Sequence, residues 1–280
     1  TWDPLEDSKT QSLLRRGDTI GVFYVESPAM RLLQQKTDVG DFEHLVIHSS
    51  IIRPAANSFI NEYIRRLKGG QYAPLHPLLE NILKETYGIM VYQEDVSKVA
   101  MALADFSPVE ADDLRKILSK KHRAKKLEHY RSQFFNGTYK NNIEEQNAAK
   151  IWEMIMSFSG YSFCKPHSAS YALVSFKSAY LKAYYPAEFI AAVITNQGGY
   201  YSTFAYISEA RRMGLEVLMP DVNYSEKHYI GVSKAVRVGF MQLKGLGKKA
   251  IELMQKERQK AGHFHSLEDF LLRVNLELSD

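Results

Sequence analysis

The sequence predicts a mainly α protein, in which a long helical region with short strands is followed by a small α/β tail. Three observations predict it. Apolar residues recur at helical spacing through most of residues 57–197. Helix starts and stops are written in proline, serine and glycine: Ser107-Pro108 with Glu110 three on, and Gly69-Gly70 after "NEYIRRLK". Only beyond "NQGGYYST" do short apolar runs, "LEVLMPDVN" and "AVRVGFMQL", alternate with helical patterns. A boundary placed near residue 203 divides the 280 residues into a helical domain, 1–203, and a second region, 204–280.

Taken in order, "TIGVFYVES" (19–27) clusters β-branched and aromatic residues between Gly17 and Pro28 and reads as a short strand, with a helix following from Ala29. "NSFINEYIRRLKGG" reads as a helix ending at its glycines, and Pro77 to Tyr87 as a helix begun by proline and ended by Gly88. Val96, Val99, Ala100 and Leu103 share one helix face in "EDVSKVAMALADF". "SPVEADDLRKILSKK" opens on a capping box. "NIEEQNAAKIWEMIMSFSGYSF" and "SASYALVSFKSAYLKAYYPAEFIAAVITNQ" are helical, the second broken near Pro186. The tail begins with "AYISEARRMGLEVLMPDVN", a helix, a glycine and a strand. "AVRVGFMQL" supplies a second strand and "LGKKAIELMQKERQKAG" an amphipathic helix.

Composition narrows the function classes. No apolar run nears the roughly eighteen residues a membrane span needs. The start, "TWDPLED", is polar, unlike a signal peptide, and has no initiator Met, so a longer parent chain and a cytoplasmic location are expected. Cys164 is the single cysteine, which excludes an internal disulfide and a Cys-rich zinc module. The formal net charge of +4 is mild, but cations gather at Arg115, Lys116, Lys120, Lys121, Arg123, Lys125, Lys126 and Arg131. The acids Asp105, Glu110, Asp112 and Asp113 lie upstream, so the run reads as a cationic face for phosphates rather than a salt-bridge ladder.

"YSFCKPHSASY" (161–171) concentrates the chemistry-bearing residue types. Cys164 and His167 invite a nucleophile reading, but nothing around them has the context of a cysteine hydrolase. A metal would need further ligands from distant segments, and the chain has no CxxC to supply them. The third reading is an anion seat: Lys165, His167 and Ser168 at the N-terminus of a helix beginning near Ser168, with Tyr161 and Phe163 placed to stack on a base or ribose. In "LKGLGKKAIELM", Gly245 and Gly247 form a tight turn ahead of Lys248 and Lys249, a pattern that brings backbone amides to a phosphate without reading sequence and resembles a helix-hairpin-helix. No Walker loop, GxGxxG, HExxH or strand-borne aspartate pair for two metals is present.

The blocks "GDTIGVFYVESPAMR", "RPAANSFINEYIRRLKGG", "HPLLENILKETYGIMVYQEDV", "EADDLRKILSKK", "FSGYSFCKPHSASYALVSFKSAYLKAYYPAEF" and "VRVGFMQLKGLGKKAI" resemble, in order, the bacterial C-family DNA polymerases, the alpha subunit of DNA polymerase III. The resemblance implies a fingers domain over 1–203 leading into a helix-hairpin-helix region over 204–280. It implies a fragment of a DNA-directed DNA polymerase that binds the incoming dNTP and template-primer DNA, in replication or error-prone repair synthesis. The catalytic aspartates and their Mg2+ are then expected in a palm domain outside this chain, with no cofactor in the fragment itself. By position, Arg115 and Lys116 match a pair of arginines that hold the triphosphate, and Lys116 departs from that pair. Tyr161, Phe163, Cys164, Lys165, His167 and Ser168 fall in the block resembling the nucleotide pocket, with His167 near the sugar, where it can help to exclude a 2′-hydroxyl. Lys120, Lys121, Arg123, Gly245, Gly247, Lys248 and Lys249 are the expected DNA contacts. A sliding clamp, reached through regions outside this chain, is a further implied partner. Cys164, Pro166 and "RPAA" are most similar to the error-prone or accessory branch. The competing reading is a non-enzymatic DNA-binding or repair scaffold in which the basic segment and the glycine hairpin act alone.

Overall fold

The computed structural model describes residues 3–53, 56–119, 124–160 and 163–274. They form a mainly α protein with one small sheet, in two compact units. Unit 1 comprises 1–18 and 27–176, and unit 2 comprises 19–26 and 177–280.

Unit 1 contains α1 (Ser8–Arg15), α2 (Pro28–Thr37), α3 (Phe42–Ile51), α4 (Asn57–Leu67), α5 (Pro77–Ile82), a 3₁₀ turn (Lys84–Thr86), α6 (Gln93–Ala104), α7 (Pro108–Leu118), α8 (Ala124–Lys140), α9 (Glu145–Met156) and the first part of α10 (Lys165–Tyr184). Local signals set many of the boundaries. Asp7, Ser27 and Asp41 accept from backbone amides in the first turns of α1, α2 and α3. In α7 the expected capping box is complete: Ser107 Oγ accepts from the Glu110 amide at 3.3 Å, and the Ser107 amide donates to Glu110 at 2.8 Å. Gly69, at φ +87, follows α4 where the glycine stop is expected.

The main core of unit 1 lies among α5 to α9, with Val96, Val99, Leu103, Leu114, Phe134, Ile151 and Ile155 fully or almost fully buried. Helix α6 packs against both α7 and α8. Gly137 permits the second contact, because a Cβ there would stand 2.3 Å from the Ala104 carbonyl oxygen. Elsewhere in this unit His48 lies fully buried between Gln34 and Tyr63. Burial pushes it down to about 3, which keeps the imidazole neutral at physiological pH.

Unit 2 holds the rest of α10, α11 (Pro186–Asn196), α12 (Thr203–Arg212), α13 (Lys248–Ala261), α14 (Leu267–Arg273) and the three-stranded sheet of β1 (Glu216–Leu218), β2 (Ile230–Val232) and β3 (Ala235–Arg237). The strand order is β1-β3-β2, with β1 parallel and β2 antiparallel to the central β3. The break expected near Pro186 is present: α10 ends at Tyr184, and Pro186 opens α11. Lys182 of α10 is fully buried, with its ammonium donating to Glu209 at 2.7 Å and to the Ile20 carbonyl at 2.8 Å.

Two readings of local structure are corrected. Residues 19–27 form no strand. Val22 and Val25 are fully buried as expected, but Gly21 and Tyr24 have φ of +82 and +65, and the Val22 and Val25 amides close turns onto Thr19 and Val22. The loop is held within unit 2 by the buried Glu26, which accepts from the amides of Gly21 (2.8 Å) and Tyr200 (2.6 Å) and from the Tyr206 hydroxyl (2.9 Å). The second correction is the start of α10, which is Lys165 rather than the neighbourhood of Ser168. Proline at the second position of the helix is the residue type that favours such a start. Among the described residues no helix is long and apolar enough to cross a membrane.

Candidate nucleotide and nucleic-acid sites

Two of the expected pocket residues in unit 1, Arg115 and Lys165, meet the first turn of α6. Its entry is fixed by Asp95, whose carboxylate accepts from the Val91 and Tyr92 amides at 3.0 and 2.9 Å. Burial pushes Asp95 up to about 6. The same entry is held from the other side by Arg53, almost fully buried, which donates to the Met90 and Val91 carbonyls (2.9 and 3.1 Å) and lies 3.7 Å over the Phe158 ring. Arg53 is therefore a structural pillar. Pro54 and Ala55, which complete the "RPAA" signature, lie outside the described residues.

From this rigid turn, adjacent side chains reach two different cationic elements. Gln93, almost fully buried, accepts from Arg115 of α7 at 3.1 Å. Glu94 accepts the backbone amide of Lys165, the first residue of α10, at 3.2 and 3.4 Å. Arg115 also donates through Nε and Nη2 to Asp112 Oδ1 (2.9 and 2.7 Å), while Lys116 pairs with Asp112 Oδ2 at 2.6 Å. Lys116 and Arg115 together hold the Asp112 carboxyl below its ordinary value. The expectation that acids upstream leave this run unpaired is thus corrected for Arg115 and Lys116, which sit three and four residues after Asp112 on one helix face. Lys120, Lys121 and Arg123 lie outside the described residues, as does Tyr161.

The Lys165 ammonium is exposed, pairs with Glu85 at 2.6 Å and sits 5.3 Å from the centre of the Tyr92 ring. Phe163, His167 and Tyr171 follow at steps of four residues with their rings in contact: Phe163 stacks on His167 at 4.7 Å and 15°, and His167 lies tilted at 46° to Tyr171, 4.1 Å away. Nε2 of His167 is buried and has no hydrogen-bond partner among the described residues, Cys164 included. A Cys164/His167 dyad therefore has no geometric support. Cys164 is a half-buried free thiol whose carbonyl accepts the Ser168 amide at 3.1 Å. Ser168 points inward and accepts from Ser50 Oγ at 2.6 Å. Sequence reasoning missed Glu85, Gln93 and Glu94. Of these, only Glu94 carried a signal, as an acid in the first turn of a helix.

The hairpin in unit 2 has the expected form. Gly245 adopts φ +91, Gly247 is the residue before α13, and the first turn of α13 has neither an acid nor a side-chain cap on its amides. Lys244, Lys248 and Lys249 are exposed around it, and Lys248 lies 3.6 Å from Glu252. The turn is anchored by Leu246, which packs on the small core of Phe240, Ile251, Met254, Phe264 and Val274. Among the described residues no group of three His, Cys, Asp or Glu is arranged to hold a metal ion.

Residues 214–279, which include this basic glycine turn and α13, match a helix-hairpin-helix motif. Residues 3–142 match the bacterial DNA polymerase III alpha subunit finger domain, and the chain belongs to this family. It is 37% identical over 276 residues to the DNA polymerase III subunit alpha of Chlamydia pneumoniae, covering 98% of this chain and 22% of that protein. The subunits alpha of Aquifex aeolicus (36% over 272 residues) and Thermus aquaticus (37% over 278) are matched over 96 and 97% of this chain and 23% of each relative. The chain thus spans about a quarter of the length of the curated relatives it matches.

Proposed function

We propose that this chain is the fingers segment, 1–203, and the start of the helix-hairpin-helix region, 204–280, of a DNA-directed DNA polymerase acting in bacterial DNA replication. In this reading it binds the incoming dNTP and the template-primer. The observation that carries the nucleotide half is the convergence of Arg115 and Lys165, from two different helices, on the adjacent residues Gln93 and Glu94. A cationic fork and a helix N-terminus held by one turn, the helix carrying an exposed ammonium that pairs with Glu85, suit a polyphosphate, whose transfer chemistry depends mainly on positioning and charge neutralisation. Arg115, Lys116 and Lys165 would contact the phosphates. Phe163 and His167 would lie along the sugar and base, and the Nε2 of His167, buried without a partner in this structure, would meet a sugar hydroxyl only once the Phe163–His167–Tyr171 stack opens. Cys164 and Ser168 would shape the floor of the pocket. Closure of such a unit on a correct nucleotide couples fit to reaction.

The magnesium of the polymerase reaction would be held by the palm domain of the parent, as the resemblance implies. The implied partners are template-primer DNA, the dNTP, the palm and a sliding clamp bound outside this chain, in the bacterial cytoplasm. The "SFCKPHSAS" variant supports a place in the error-prone or accessory branch, with a role in repair synthesis.

The DNA half rests on the exposed Lys244, Lys248 and Lys249 around the Gly245 turn. Lys248→Ala with Lys249→Ala in the full-length protein is expected to weaken template-primer binding equally across sequences and to lower the slope of log K against log salt by about 2. The KM for dNTP is expected to stay unchanged. An unaltered salt slope contradicts the hairpin assignment.

A further inference from the structure

We infer that Glu85, Glu94 and Asp112 are resident counter-anions of the phosphate site, and that a polyphosphate binds by displacing them. The inference rests on the nucleotide reading and deepens it by assigning the charge selectivity of the site to three acids of this chain. Each of the phosphate-directed groups already carries a carboxylate. The Lys165 ammonium meets Glu85 at 2.6 Å, its amide meets Glu94 at 3.2 and 3.4 Å, and Arg115 and Lys116 meet the two oxygens of Asp112 at 2.7 and 2.6 Å. The carboxylates of Asp112, Glu85 and Glu94 balance the side-chain charges of Arg115, Lys116 and Lys165, so the site without ligand is close to neutral.

These resident pairs are exchangeable. Lys165 and Glu85 are 47 and 53% exposed, and Lys116 and Asp112 are 54 and 42% exposed, a setting in which ion pairs hold weakly in water. A polyphosphate carries several charges and many acceptor oxygens on one molecule, so it can replace several carboxylates at once with charge-assisted hydrogen bonds. A single phosphate meets the same three acids with fewer contacts to offer. The acids therefore penalise small anions more than polyphosphates, and they act as specificity-determining residues.

The test compares full-length proteins carrying Glu85→Gln with Glu94→Gln, or Asp112→Asn, or Arg115→Ala, with the unsubstituted protein. The readouts are the KM for dATP and the inhibition of dATP incorporation by inorganic phosphate and by inorganic tripolyphosphate. Both acid variants are expected to bind the inorganic anions about three- to tenfold more tightly, with inorganic phosphate gaining the most. Unchanged or weaker anion inhibition in both acid variants, together with a raised KM for dATP in Arg115→Ala, overturns the counter-anion role and leaves the nucleotide reading standing. If Arg115→Ala also leaves that KM unchanged, both fall. Asp112 lies on α7 and the two glutamates on other elements, so a folding defect in one acid variant does not reproduce the result in the other.

Discussion

Arg115→Ala is expected to lower kcat/KM for dNTP incorporation by the full-length polymerase by about 10- to 100-fold, the scale of losing charged hydrogen bonds of about 1.5–3 kcal/mol. The expectation follows from how the guanidinium is held. Nη1 donates to the buried Gln93, which keeps one arm of the fork in place when a phosphate takes over the two N–H groups that engage Asp112. Arg115→Lys is expected to recover only part of the loss, because the charge returns without the planar fork. Lys116→Ala is expected to cost less, since this ammonium is 54% exposed and has a single carboxylate contact. A loss seen mainly in KM marks a ground-state contact with the triphosphate, whereas a loss shared by kcat marks one that tightens as the phosphoryl group moves. Single-nucleotide incorporation kinetics separate the two. An unchanged kcat/KM contradicts the role.

The largest effect on stability is expected at Lys182. Its side chain and that of Glu209 are 0 and 1% exposed, and removing Lys182 takes from the buried carboxylate one of the two cations that bind it, leaving Arg212, and strips the Ile20 carbonyl of its donor. Lys182→Ala is expected to destabilise the protein by about 3–5 kcal/mol, read from urea denaturation, while Lys182→Met combined with Glu209→Leu recovers most of the loss. The pH dependence has a defined sign. Burial acts to raise the Glu209 carboxyl, but hydrogen bonds from Arg212 and Lys182 outweigh it and hold the group below its ordinary value of 4.5. The stability it contributes is thus fully present above that value and is lost as the pH falls through the lower folded value. The double variant is expected to lose less stability in acid than the unsubstituted protein. An equal loss in both contradicts the assignment to Glu209.

Much of this architecture is readable from local chemistry. The capping box at Ser107 and Glu110, the glycine after α4, the proline that separates α10 from α11 and the Gly245-Gly247 hairpin are each set by residues within a few positions. Residues 19–26 were not readable in that way. Their burial resembles that of a strand, but Glu26 ties them to amides and a hydroxyl far along the chain, and positive φ at Gly21 and Tyr24 breaks any extended run. Strand β2 was missed because only three residues pair, one of them Gly231, whose missing side chain admits the backbone of α11 at Ala187 and Glu188.

The candidate site divides along the same line. Its cations are legible as residue types, and the pairing of Asp112 with Arg115 and Lys116 follows from their spacing of three and four on one helix. Glu85, Gln93 and Glu94 became neighbours of Lys165 and Arg115 only through packing among α6, α7 and α10, which no local pattern encodes.

Whether the start of α10 and the end of α7 together receive a nucleotide is decided by photo-crosslinking an azido-adenine analogue of dATP to the full-length protein and mapping the adducts by mass spectrometry. Adducts are expected within residues 163–171 or 112–118, suppressed by excess dATP and strongly reduced in Arg115→Ala. Adducts that fall outside both segments, or that survive in Arg115→Ala at full yield, would contradict the nucleotide reading.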